Sequence, residues 1–163
     1  MTARSMAETQ NSHDPFPVQG RLAGIDFGTV RIGIAVTDPD QRLASPYEIY
    51  RRRNPAADAE YFQRLVREEG IVGLVVGLPV FASGEESQKS AQARAFGDWL
   101  RDLTGLPVRF YDERYTSVLA DQSLLDAQMT RKQRKARLDK VAAQIILAAY
   151  LESHRHGDPG ALD

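Results

Sequence analysis

The fold is decided by Gly24-Ile-Asp-Phe-Gly-Thr-Val-Arg-Ile-Gly-Ile-Ala-Val36, where an apolar run meets an aspartate, turns over Gly28 and Thr29, and resumes as a second apolar run. Extended with its flanks, the segment reads as two strands, RLAGID and RIGIAVT, joined by a link too short for anything but an antiparallel pair. A third strand, roughly ASPYEIY, follows the turn formers Asp38, Pro39 and Asp40. Asp26 therefore closes the first strand at its carboxyl end, the edge at which open α/β sheets bind ligands. The competing reading is a turn cap, because an Asp-x-Gly carboxylate can accept from turn amides.

Beyond Tyr50 the period changes. Ala56 to Glu69 reads as a helix ended by Gly70, IVGLVVG as a buried strand, Glu86 to Leu103 as a second helix and PVRFYDE as a further strand. Thr116 suits the N-cap of a helix through about Ala127, and Leu138 to Ser153 forms a last helix. Strands that alternate with helices pair in parallel with the first strand. The expectation is a single α/β domain of the ribonuclease H-like type, with a mixed five-stranded sheet (three antiparallel strands, then two parallel) flanked by helices.

The chain's 163 residues, 42% of them apolar, suffice for one core. Residues 1–19 and 154–163 are polar and read as disordered tails around a domain at 20–153. There is no cysteine, so any metal must be held by oxygen or imidazole, which favours magnesium or manganese. No apolar run approaches the roughly 20 residues of a membrane span and no signal-peptide core is present, so no membrane association and a cytoplasmic location are expected. A net charge of −1 gives no global sign of nucleic-acid binding, and any such case must rest on local clusters.

Three acidic positions stand out. Asp26 is the first, and the second lies in Tyr111-Asp-Glu-Arg114, where adjacent acids on a strand point to opposite faces, so that only one of Asp112 and Glu113 can share a site with Asp26. An exposed ion pair is the alternative there. The third, Asp139, falls at helical spacing among Ala142, Ala143, Ile146 and Tyr150, and a carboxylate so placed must find a partner or neutralise. Favourable interaction with a helix N-terminus is its alternative. Three acids from three elements at one end of a sheet suggest a site for one or two divalent ions and for phosphate chemistry.

DFGTVRIGIAVTD, VVGLPV, YDERYTSVLA and LDKVAAQIILAAYLE, in this order, closely resemble the YqgF (RuvX) family of bacterial nucleases, over Arg21 to Ser153. The family has a ribonuclease H-like fold, and its members are described as Holliday junction resolvases and as nucleases maturing the 5′ end of the small-subunit ribosomal RNA precursor. The resemblance implies catalytic, metal-holding acids at Asp26, Glu113 and Asp139, with Mg2+ or Mn2+ as cofactor, and it settles the Asp112 and Glu113 alternative toward Glu113. Two departures stand out: Val30 occupies a position where the family often has lysine, and VFASGEE replaces a loop that commonly carries asparagine.

For nucleic-acid binding the candidates are Gly28 and Thr29 in the turn, Arg114 beside Glu113, and Arg131, Lys132, Arg134, Lys135 and Arg137 ahead of Asp139, the last group read as a flexible clamp on phosphates. Arg51 to Arg53 reads as a solvated face. RNA is the expected partner, with structured or single-stranded DNA as the alternative, and the protein a monomer or homodimer. GIDFGT also resembles the phosphate turn of the sugar kinase, actin and chaperone ATPase superfamily, but those proteins use the fold twice and this chain holds one copy. A non-catalytic module binding RNA or assembly factors is the remaining alternative, against which three acids facing phosphate argue.

Overall fold

A computed structural model describes residues 16–79, 87–113 and 130–155, with only the backbone described at 134–136 and 155. Strands β1 (Arg21–Asp26), β2 (Arg31–Thr37) and β3 (Ala44–Arg51) form an antiparallel meander. Then come helix α1 (Pro55–Glu69), strand β4 (Ile71–Leu78), helix α2 (Gln88–Thr104), strand β5 (Val108–Asp112) and helix α3 (Arg131–Arg155). The sheet order is β3-β2-β1-β4-β5, with β1, β4 and β5 parallel. This is the mixed five-stranded sheet expected from the sequence, and the two helical crossovers are what make parallel pairing possible.

Local chemistry sets the ends of the helices. Asn54 accepts the Ala57 amide at 2.8 Å with Pro55 directly after it, and Gly70 ends α1 in the left-handed region at φ +64°. Ser87 caps α2 by accepting the Ser90 amide at 3.1 Å. At the start of α3, Gln133 N donates to Thr130 Oγ1 at 3.1 Å and Thr130 N donates to Gln133 Oε1 at 2.9 Å, a reciprocal capping box. That box moves the helix start seven residues ahead of the expected Leu138. The run Arg131 to Arg137 is consequently helical, which corrects its reading as a flexible clamp. The helix expected after Thr116 and the loop Val80 to Glu86 lie outside the described residues.

The sheet is covered on both faces. Phe62 of α1 and Phe96 and Leu100 of α2 pack on Ile25, Leu74 and Val76, while Leu147, Tyr150 and Leu151 of α3 pack on Leu22, Ala35 and Val75. Phe16 joins the second cluster, with its ring edge-on to Tyr150 at 5.7 Å, and Gln41 Nε2 donates to the Pro17 carbonyl at 3.2 Å. Residues 16–19 thus fold onto the body, which corrects their assignment to a disordered tail, and α3 runs through 154 and 155, past the expected end of the domain. Among the described residues no helix is long and apolar enough to cross a membrane.

Candidate active site

Alternation along the strands decides which side chains meet. On β1, Ala23 and Ile25 face α1 and α2, so Gly24 and Asp26 face α3, and a Cβ at Gly24 would meet Leu147. On β5 the same alternation puts Phe110 with α2 and Tyr111 beneath α3. Glu113, two residues past Tyr111, returns to the α3 face, and its carboxylate lies where a Gly77 side chain would be: a Cβ there would stand 2.6 Å from Glu113 Oε2 and 2.6 Å from Ile146 Cδ1. Gly77 is therefore the space into which Glu113 folds.

The carboxyl ends of β1, β4 and β5 open on a cleft of about 600 Å³ whose walls include Asp26, Glu113 and Asp139. Asp112 does not line it, so the geometry selects Glu113 of the adjacent pair. Asp139 is the ninth residue of α3, two turns in and exposed, which removes the helix N-terminus as its reason for being there and corrects its placement among apolar side chains. Gly28 and Thr29 also line the cleft. The reason for glycine at 28 is internal, because a Cβ there would overlap the Arg31 carbonyl oxygen, so the tight turn itself excludes a side chain.

Burial raises the Asp26 carboxyl from its ordinary 3.8 to about 6, the Asp139 charge adds to the rise, and the Lys89 ammonium opposes it. Glu113 is pushed up from 4.5 to about 7, again first by burial and then by the Asp26 charge, with Lys89 opposing. Partly desolvated carboxyls pushed up in this way, Asp26 with the Asp139 charge beside it and Glu113 with the Asp26 charge beside it, are stabilised by a proton or by a bound cation. Among the described residues no three acidic or imidazole side chains are gathered closely enough to enclose an ion unaided. This donor set fits magnesium or manganese, which take few carboxylates and complete their shell with water and phosphate oxygens.

Cations surround the acids. Arg31, Lys89 and Lys140 line the same cleft, and none of the three was singled out in the sequence. Arg131, Lys132 and Arg137 are exposed along the first two turns of α3, the side chains of Arg134 and Lys135 are not described, and Arg114 lies outside the described residues. Arg52 departs from the solvated face read for its run. Its Nε donates to Asp58 Oδ2 at 3.1 Å, its guanidinium lies 5.3 Å from the Phe27 ring centre, and its amide donates to the Val30 carbonyl at 2.9 Å. Asp58, 2% exposed, also accepts from Tyr50 Oη at 2.7 Å and from the Arg53 amide at 3.1 Å. This buried network ties the turn after Asp26 to the start of α1.

The order of strands, the acid-lined carboxyl edge and the long helix across the α3 face define a ribonuclease H-fold domain with a nuclease-type acidic cleft. Among solved structures, Thermus thermophilus RuvC in complex with a Holliday junction substrate superposes with a TM-score of 0.53 at 18% identity, covering 85% of this chain and 96% of that one, a likeness of fold. Residues 20–153 match the family model described as RuvX, Holliday junction resolvase, and the chain belongs to that family. A protein of Rhodopirellula baltica named "Putative pre-16S rRNA nuclease" is 48% identical over 148 residues, 91% of this chain and 86% of its own. One of the same name from Paracoccus denitrificans is 40% identical over 142 residues, 87% of this chain and 90% of its own.

Proposed function

We propose that this chain is a divalent-metal-dependent nuclease that hydrolyses phosphodiester bonds in RNA, and that its substrate is the 5′ end of the 16S ribosomal RNA precursor. The observation that carries the reading is the convergence of Asp26, Glu113 and Asp139, from β1, the end of β5 and α3, on one cleft ringed by Arg31, Lys89 and Lys140. Acids flanked by cations match a phosphodiester, whose charge the cations attract and whose hydrolysis the acids serve by holding metal. The names carried by relatives at 40 to 48% identity support the choice of ribosomal RNA.

Magnesium or manganese held by Asp26, Glu113 and Asp139 would supply a nucleophile at neutral pH and neutralise charge on the leaving oxygen. The chain's own residues do the rest. Burial raises both the Asp26 and Glu113 carboxyls, with the Asp139 charge adding at Asp26 and the Asp26 charge at Glu113, and a cation held by these acids would offset that penalty. Lys89 and Lys140 hold the phosphate from opposite elements, and the Thr29 hydroxyl stands in the cleft as a hydrogen-bond partner for a non-bridging oxygen. The Arg52–Asp58 network keeps the turn bearing Thr29 in place.

A second reading, cleavage of four-way DNA junctions, is favoured by the description of the matching family and by the fold shared with a junction-bound resolvase. The test is cleavage of a precursor 16S RNA fragment, an unstructured strand and a four-way DNA junction, each with magnesium or manganese at one fixed salt concentration. Faster cutting of the precursor at its 5′ flank supports the proposal. Paired symmetric cuts in the junction, which need a dimer with two sites, would replace it by the second reading. Cleavage of none of them, with binding retained, would leave a binding module.

A further inference from the structure

Arg31 and Arg51 are direct partners across the β2–β3 ladder, at its end nearest the cleft. Opposed residues on antiparallel strands project to the same face, and like charges so placed destabilise the sheet. Both arginines are exposed, and no acidic side chain among the described residues pairs with either. The sheet gains nothing from this pair, whereas a polyanion laid across it would.

Register fixes where the pair points. Asp26 is opposite Gly33, Gly33 is opposite Ile49, and Arg31 and Arg51 are the next same-face pair along β2 and β3. The arginines therefore share the face of Asp26, one step outward from the acids. Two apolar side chains of the same cleft wall remain open to solvent beside them: Ile49 at 38% exposure, on the pair of β2 and β3 that is in register with Asp26, and Val30 at 55%, next to Arg31 in the turn. The Arg52 amide bond to the Val30 carbonyl fixes Val30 against the segment bearing Arg51, so the surface is preformed.

We propose that Arg31, Arg51, Val30 and Ile49 form a lane over the β2–β3 end that carries one unpaired nucleic-acid strand to the acid cleft, with the guanidiniums on successive phosphates and the apolar pair beneath an unstacked base. The inference rests on the nuclease reading and extends it to the path of the substrate. Guanidiniums are suited to bidentate phosphate contact, and an apolar patch between cations suits a strand whose base faces are exposed.

The test measures binding of a fluorescent twelve-nucleotide unstructured RNA and of a blunt duplex to the full chain, with metal chelated to prevent cleavage, between 50 and 200 mM salt. Arg31→Ala and Arg51→Ala should each weaken strand binding about three- to tenfold and flatten the slope of log affinity against log salt by roughly 0.7, the value for one single-strand phosphate contact. Arg51→Lys should recover most of the slope, and Arg67→Ala, an exposed charge on α1, should leave it unchanged. Both alanine variants should melt no lower than wild type, since each removes a like-charge contact. Unchanged slopes in the alanine variants, or lower melting with unchanged binding, would overturn the lane, and equal weakening of the duplex would overturn its assignment to a single strand. Wild-type protein that binds neither probe would instead count against the nuclease reading itself.

Discussion

Replacing Asp26 by asparagine should make the metal-free protein more stable while removing its activity. The Asp26 carboxyl is raised from 3.8 to about 6, first by burial and then by Asp139. Because the folded protein holds the proton more tightly than the unfolded chain, the contribution to stability is intact below about pH 4 and is lost as pH rises through about 6. At about 1.4 kcal/mol per pH unit, the full penalty above pH 7 is about 3 kcal/mol. An asparagine side chain has the shape of the aspartate without its charge, so Asp26→Asn should gain about 2–3 kcal/mol at pH 8, or about 5–10 °C in melting temperature for a domain of this size. At pH 4 the gain should shrink to about 0.5 kcal/mol. Urea unfolding with metal chelated, at the two pH values, measures both. Magnesium should then raise the melting temperature of wild type and leave the variant unmoved. A variant less stable than wild type at pH 8, or a gain equal at both pH values, would refute the argument that Asp26 carries an uncompensated charge.

Asp58→Ala removes the common, buried acceptor of Tyr50, Arg52 and the Arg53 amide and leaves the half-buried Arg52 guanidinium without its carboxylate, so chemical denaturation at pH 7 should show a loss of about 2–4 kcal/mol. Burial alone would raise the Asp58 carboxyl, but hydrogen bonds from Tyr50, Arg53 and Arg52 outweigh it and hold it below its ordinary value. Its contribution is therefore present above the ordinary carboxylate range and fades as pH falls, and wild type and Asp58→Ala should converge in stability in acid. Gly77→Ala should displace Glu113 and Ile146, lowering cleavage more than about tenfold for about 1–3 kcal/mol of stability, as single-turnover rates and melting curves would show together. Gly28→Ala should reduce cleavage because the overlap is with backbone, the Arg31 carbonyl, so the turn carrying Thr29 must open; strand binding measured alongside should fall with it.

How much of this could be read from the chain depends on the kind of signal. The strands around Asp26 were legible because short turns and apolar alternation admit one arrangement, and the β4 and β5 placements followed from parallel pairing. Glu113 could not be separated from Asp112 by residue type, since only the face on which β5 meets α3 decides it. The start of α3 was missed because Arg131 to Arg137 lacks apolar periodicity, although Thr130-Arg-Lys-Gln133 carries the capping-box spacing that sets it. Lys89 had no signal of its own, being one polar residue of an amphipathic helix whose position beside the acids follows from the Ser87 cap. The run Arg51 to Arg53 looked uniform, yet the backbone turns Arg52 toward Phe27 and Asp58 and leaves Arg51 and Arg53 exposed. Tertiary packing made that division, and composition holds no trace of it.

The central claim is that Asp26, Glu113 and Asp139 act together as a metal-dependent nucleolytic site. Its most direct test is single-turnover cleavage of an end-labelled 16S precursor fragment by wild type, Asp26→Asn, Glu113→Gln and Asp139→Asn over a magnesium titration, with circular dichroism to verify folding. The account predicts metal-dependent cutting by wild type and a loss of more than about 100-fold in each folded variant, beyond the roughly 10- to 100-fold that outer-shell changes cost. A folded variant that cuts within about tenfold of wild type, or wild-type cutting that persists in chelator, would contradict it.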